Sequence, residues 1–145
     1  MGALLCELGQ LEQALTWFDK ALKRRSGLTL AHYNKAQTLG RLRRYDEAFA
    51  IYAALKTANP DDAESDWNAA LLHLLTGNFE AGWIGREARW KIPRLAMPKH
   101  DLAQPMWLGQ EPLEGKTVLI DQDEGLGDVI QFMWKESGAH RCCIF

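Results

Sequence analysis

Apolar and small residues recur along the first part of the chain with a fixed step. Leu11, Tyr45 and Phe79 are 34 positions apart, and so are the small residues Ala14, Ala48 and Gly82. Phe18 and Tyr52 fall in the same register, with Arg86 at the third position. Self-similarity at a fixed period predicts a repeat architecture. Within each unit the spacing is helical. The small residue allows a close helix approach, and the aromatic four positions on lies on the same face and fills the gap. Gly9, Arg43 and Gly77 mark a turn before the second helix of each hairpin. Asn59-Pro60-Asp61-Asp62 closes the second unit, because proline cannot continue a helix and Asp can cap the next. One hairpin cannot bury its apolar stripe alone, so the units stack into a solenoid.

The pattern changes after residue 90. Four of the five prolines, Pro93, Pro98, Pro105 and Pro112, lie between Ile92 and Glu114 and predict an extended connector with Trp107 as an anchor. "TVLI" then reads as a short buried strand, "DQDEGLGD" as a turn, "VIQFMWKES" as a helix and "RCCIF" as the start of a second strand. The third hairpin also departs from the first two. Its Trp83 and Trp90 are seven apart, which on one helix gives a single face. They are expected to pack over the last groove and end the array.

The 34-residue register of "LGQLEQALTWFDKAL", "LRRYDEAFAIYAALK" and "TGNFEAGWIGREARW" resembles the tetratricopeptide repeat (TPR). The resemblance implies that the first helices of successive repeats line a concave groove for a peptide or protein segment. By register, Tyr33, Asn34, Gln37 and Arg41 would stand beside Trp67, Asn68, Leu71 and Leu75. Asn34 and Asn68 repeat at the same step and look like the asparagine ladder of the TPR superhelix in O-linked sugar transferases. There the amides hydrogen-bond an extended peptide backbone, and an amide suits that role because it both donates and accepts. The competing reading is that Asn is simply common at this position of TPR helices. The first copy lacks part of its first helix, which leaves an apolar edge; that edge and any open sheet edge are candidate self-association surfaces.

Composition narrows the partners. A net charge of -2 gives no support for a nucleic-acid binder. No apolar run is long enough to span a membrane. The three cysteines, Cys6, Cys142 and Cys143, form neither a disulfide framework nor a zinc spacing, so no metal is expected. Unpaired thiols suit a reducing, cytoplasmic compartment.

Two phosphate motifs fail on spacing. "GQEPLEGKT" has five residues between Gly109 and Gly115 where a P-loop needs four, and it precedes a strand instead of following one. "GLGDVI" has Ile130 where the dinucleotide fingerprint needs its third glycine. The ordered series "NFEAGWIGREARW", "QPMWLGQEPLEGKTVLIDQDEGLGDVIQF" instead resembles bacterial TPR proteins with a heptosyltransferase-like GT-B domain after the repeats. In that family the Gly-Asp turn opens the first Rossmann-like half. The resemblance implies Asp128 as a general base toward an acceptor hydroxyl, with Gly125 and Gly127 at the cofactor turn. The bland alternative for Asp128 is a helix N-cap. The nucleotide-sugar donor would be held mainly by a second half that is absent from these residues.

The sequence therefore predicts a mainly α chain. Residues 1–94 form a TPR α-solenoid of about two and a half repeats, residues 95–114 a Pro-rich linker, and residues 115–145 a short βα(β) fragment of a Rossmann-like domain. The expected role is a protein-interaction module, a fragment of a larger TPR-glycosyltransferase that is not catalytically competent alone. The alternative is a glycosyltransferase acting on a peptide or glycan acceptor.

Overall fold

The computed structural model describes residues 1–95, 107, 112, 114–120 and 142–144, with residues 118–120 and 142–144 described by their backbone. The chain divides into two units, Met1–Ala96 and Met97–Phe145. The first contains six helices: α1 Gly2–Glu7, α2 Leu11–Arg24, α3 Thr29–Arg41, α4 Tyr45–Ala58, α5 Ala63–Leu75 and α6 Phe79–Arg86. Each packs on the next in chain order, and α3 also touches α5. That is the neighbour pattern of a solenoid of helical hairpins.

Local chemistry sets the boundaries. The three turn residues between paired helices are all left-handed: Gly9 at φ 75°, Arg43 at φ 60° and Gly77 at φ 86°. Glycine takes this conformation without strain, whereas Arg43 adopts it with a side chain attached. Helix α4 stops at Ala58, and Asn59 before Pro60 is extended at φ -139°. Asp62 and Asn78 then cap α5 and α6. Their side-chain oxygens accept from the backbone N–H of Ser65 at 3.3 Å and of Ala81 at 3.4 Å.

The core follows the repeat register. Leu5, Ala14 and Phe18 form one buried cluster; Leu15, Ala36, Leu39, Ala48, Tyr52 and Leu72 form a second. Ala14 and Ala48 are fully inaccessible at 0% exposure, as close helix approach requires. At Gly82 the approach is closer still. A Cβ there would lie 2.5 Å from Leu74 Cδ2 and 3.1 Å from the Leu74 backbone nitrogen, so an alanine at this position would force Leu74 to shift.

The end of the array differs from the sequence expectation. Helix α6 ends at Arg86, and Glu87–Lys91 continues as a 3-10 turn. Trp83 and Trp90 therefore share no helix face. Within that turn Glu87 accepts from Arg89 Nη1 at 2.7 Å and from Trp90 Nε1 at 3.1 Å, partners two and three residues away. Trp90 is half-buried, but Trp83 is 56% exposed and does not pack as expected. A second short 3-10 turn spans Pro93–Leu95, after the buried Ile92.

In the second unit, β1 Val118–Ile120 and β2 Cys142–Ile144 pair in parallel, with Val118 opposite Cys142 and Ile120 opposite Ile144. Two three-residue strands do not by themselves make a Rossmann-like domain. Most of the expected linker and the whole "DQDEGLGDVIQF" element, with Gly125, Gly127 and Asp128, lie outside the described residues.

Candidate groove site

The candidate site lies on the first helices of the hairpins. On α3 the residues Leu30, Tyr33, Asn34, Gln37 and Arg41 follow one helical face. On α5 the same offsets give Glu64, Trp67, Asn68, Leu71 and Leu75. Each pair is one repeat step apart. Three leucines on these faces stand open to solvent: Leu30 at 68%, Leu71 at 42% and Leu75 at 67% exposure. Leu30 and Glu64 were not among the residues singled out by sequence, although the repeat register places them on these faces.

Polar links join the faces. Gln37 Nε2 donates to Asn68 Oδ1 at 3.1 Å, and Asn68 Nδ2 donates to the Glu64 carbonyl at 2.7 Å. Asn68 is buried at 9% exposure, so its amide serves the contact between α3 and α5. Asn34 is half-buried, with its own carbonyl accepting from Thr38 Oγ1 at 2.6 Å. Thr38 Oγ1 also lies 3.1 Å from Cys6 Sγ, and Arg41 Nη1 donates to the Cys6 carbonyl at 2.9 Å. These contacts tie α1 to α3. Between those two helices is a cleft of about 200 Å³, with Ala3, Cys6 and Glu7 on one side and Asn34, Gln37, Thr38 and Arg41 on the other, and with Phe18 among its walls.

The strongest polar assembly joins α3 to the start of α5. Tyr33 Oη donates to the Asp62 carboxylate, 2.5 and 2.6 Å from its two oxygens. Ser65 Oγ donates to the same carboxylate at 2.6 Å. Burial opposes ionisation of Asp62, but hydrogen bonds from Ser65 and Tyr33 outweigh it and hold the carboxyl below its usual range. Burial, reinforced by Asp62, pushes the Tyr33 phenol well above its ordinary value, so Tyr33 remains a donor at neutral pH. This node escaped the sequence reading, which gave Asp62 a capping role alone.

Trp67 meets a cation. The Arg86 guanidinium lies 5.9 Å from its ring centroid and 5.4 Å from that of Trp83. Arg94, beyond the last helix, forms a two-pronged pair with Glu64. Its Nε and Nη2 are each 2.6 Å from a carboxylate oxygen. The structure thus brings Tyr33, Gln37, Trp67, Asn68 and the two leucines of α5 onto adjoining helices, and links Arg41 to α1.

Residues 30–62 match the tetratricopeptide repeat family. The matched stretch covers α3, the left-handed Arg43 turn, α4 and the Asp62 cap. Among solved structures, the chain is similar to MamA 41-end from Desulfovibrio magneticus RS-1, at 31% identity and a TM-score of 0.54. It is also similar to the MamA RS-1 ArsTM double mutant, at 31% identity and a TM-score of 0.53. Each match covers 64% of this chain and 53% of the MamA chain. A curated relative, Protein FlbA of Caulobacter vibrioides, is 28% identical over 135 residues. That alignment takes in 91% of this chain and 22% of FlbA, so the chain spans about a fifth of that relative's length. One tetratricopeptide repeat is thus matched within the helical unit, and its hairpin stack is similar in fold to MamA.

Proposed function

We infer that the helical unit is a protein-interaction module whose groove, along α1, α3 and α5, holds an extended peptide or protein segment. The observation that carries this reading is the pair of matched faces, which set three exposed leucines among amide and aromatic side chains. Exposed apolar side chains rimmed by polar groups favour a protein surface as occupant. Asn34 offers an amide beside the α1–α3 cleft, Tyr33, Gln37 and Asn68 fix the spacing of the helices, and Trp67, Leu71 and Leu75 supply the apolar contacts. No described helix is long and apolar enough to cross a membrane. A cytoplasmic setting and a role without nucleic acid remain parts of this proposal.

Panning a random dodecapeptide display library on the chain tests the reading. Selected peptides should lose affinity on Asn34→Ala and on the pair Leu71→Ala, Leu75→Ala. Unchanged affinity in both variants would reject the groove assignment.

A second reading is that residues 115–145 open a glycosyltransferase domain, with Asp128 as the base and Gly125 and Gly127 at the donor turn. It is favoured by the parallel pairing of β1 and β2, since residues 121–141 suffice for a helical crossover. Calorimetric titration of the chain with a panel of nucleotide sugars tests it. Saturable binding supports the enzyme reading, and no binding leaves these residues without a donor site of their own.

A further inference from the structure

The α5 face of the groove carries two different contacts for a guanidinium group, and the protein's own following segment fills both. Glu64 and Trp67 are three residues apart and so neighbours on one helix face. Glu64 receives Arg94 through two 2.6 Å hydrogen bonds, the fork geometry that arginine forms with a carboxylate. Trp67 has the Arg86 guanidinium at 5.9 Å from its ring centroid. The surroundings are acidic but otherwise engaged: Asp62 is held by Tyr33 and Ser65, and Asp66 pairs with Lys56 at 2.5 Å. Asp61 is exposed at the helix entrance. The segment reaches Glu64 because Ile92 is buried at 4% exposure and Pro93–Leu95 turns tightly after it. Arg94 itself is exposed, so it is held by one anchor and one exposed ion pair.

We propose that Glu64, beside the Arg86-covered Trp67, is an arginine-reading subsite of the groove, and that Arg94 is its resident occupant in the absence of a ligand. The ligand is an extended segment carrying an arginine, which takes Glu64 from Arg94 on entry. This rests on the groove reading above and names both its ligand class and its regulation. The latch lowers apparent affinity by the fraction of molecules in which it is closed. An exposed pair is a weak latch, so it costs a modest factor and remains displaceable.

The test uses the whole chain and its Arg94→Ala and Glu64→Gln variants, each checked by circular dichroism for native helix content. Dodecapeptides selected from a random display library on Arg94→Ala are synthesised with a fluorophore and measured by anisotropy. The expected peptides contain arginine and bind Arg94→Ala roughly two- to fivefold tighter than the parent chain. Their affinity falls on Glu64→Gln and on replacing the peptide arginine with alanine. Hydrogen exchange gives a readout that needs no ligand: the Leu95 amide, which donates to the Ile92 carbonyl at 3.1 Å, should exchange faster in both variants. Peptides that bind all three chains equally yet are lost on Asn34→Ala would overturn this subsite and leave the groove standing. Failure to select any peptide would remove both. Unchanged exchange at Leu95 would overturn the latch.

Discussion

Replacing Asp62 with alanine should destabilise the solenoid more than replacing its partner Tyr33 with phenylalanine. The carboxylate caps α5 through the Ser65 N–H, accepts the Ser65 hydroxyl, and accepts the Tyr33 phenol from α3. Loss of an N-cap costs about 1 kcal/mol. A hydrogen bond to a charged group contributes about 1.5–3 kcal/mol, reduced here because Tyr33 and Asp62 are only half-buried. Ser65 is 1% exposed, so its hydroxyl would lose its partner in a site closed to water. Together these place Asp62→Ala at about 2.5–4 kcal/mol, against a domain stability of about 5–15 kcal/mol. Tyr33→Phe removes one hydroxyl and should cost about 1 kcal/mol. The two changes share one hydrogen bond, so the double mutant should fall short of their sum by about 1 kcal/mol. Urea unfolding followed by far-ultraviolet circular dichroism reads all four chains. The pH profile gives a second check. Because the folded carboxyl titrates below its ordinary value, the unfolded chain binds more protons as pH drops through the carboxylate range. The Asp62 contribution is thus complete above the ordinary value of 3.8 and is lost as pH falls through the lowered folded value. Asp62→Asn should flatten that acid limb. An Asp62→Ala cost below about 0.5 kcal/mol, the range of an ordinary surface substitution, would refute the reasoning, as would strict additivity with Tyr33→Phe.

Further outcomes follow from individual positions. Arg43→Gly should stabilise the chain by about 0.5–1 kcal/mol in the same urea assay, since glycine relieves the φ of 60° and the other two turns already use it. Gly82→Ala should cost about 1–2 kcal/mol despite the better helix propensity of alanine, because the added Cβ meets Leu74 at 2.5 Å. Tyr52, whose phenol is pushed up to about 12 by burial, should ionise late in an absorbance titration at alkaline pH. Its raised value means that its contribution is present below 10 and declines as pH rises from 10 toward 12.

The repeat was legible because packing enforces it residue by residue. Ala14, Ala48 and Gly82 must be small where helices touch, Phe18 and Tyr52 must fill what remains, and one step relates them. The turn positions were legible for the same reason, Arg43 included, whereas its positive φ was not, because an arginine gives no hint of one. The faces of α3 and α5 were legible as a register but not as a set of partners. Asn34 and Asn68 occupy equivalent positions, yet Asn68 is buried between Gln37 and the Glu64 carbonyl while Asn34 borders a cleft. A period reports where a side chain points, whereas its partners depend on long-range pairing. The Tyr33–Asp62 and Glu64–Arg94 contacts span 29 and 30 residues and match no step of the repeat.

That mismatch is concentrated at the third hairpin and the segment after it. Glycine at 82 and 85 lets α6 lie against α5 where an added Cβ would force a shift: a Cβ on Gly85 would lie 2.9 Å from the Ala70 Cβ. The register then places Arg86 where the first two hairpins have Phe18 and Tyr52, and a cation reaches Trp67 where an aromatic ring would otherwise enter the core. The chain continues from Glu87 as a 3-10 turn, Ile92 is buried, and Arg94 pairs with Glu64. Each departure from the repeat pattern in residues 82–94 therefore changes what the α5 face meets. A sequence search that scores only agreement with the repeat discounts these positions, although they decide which side chains meet Glu64 and Trp67.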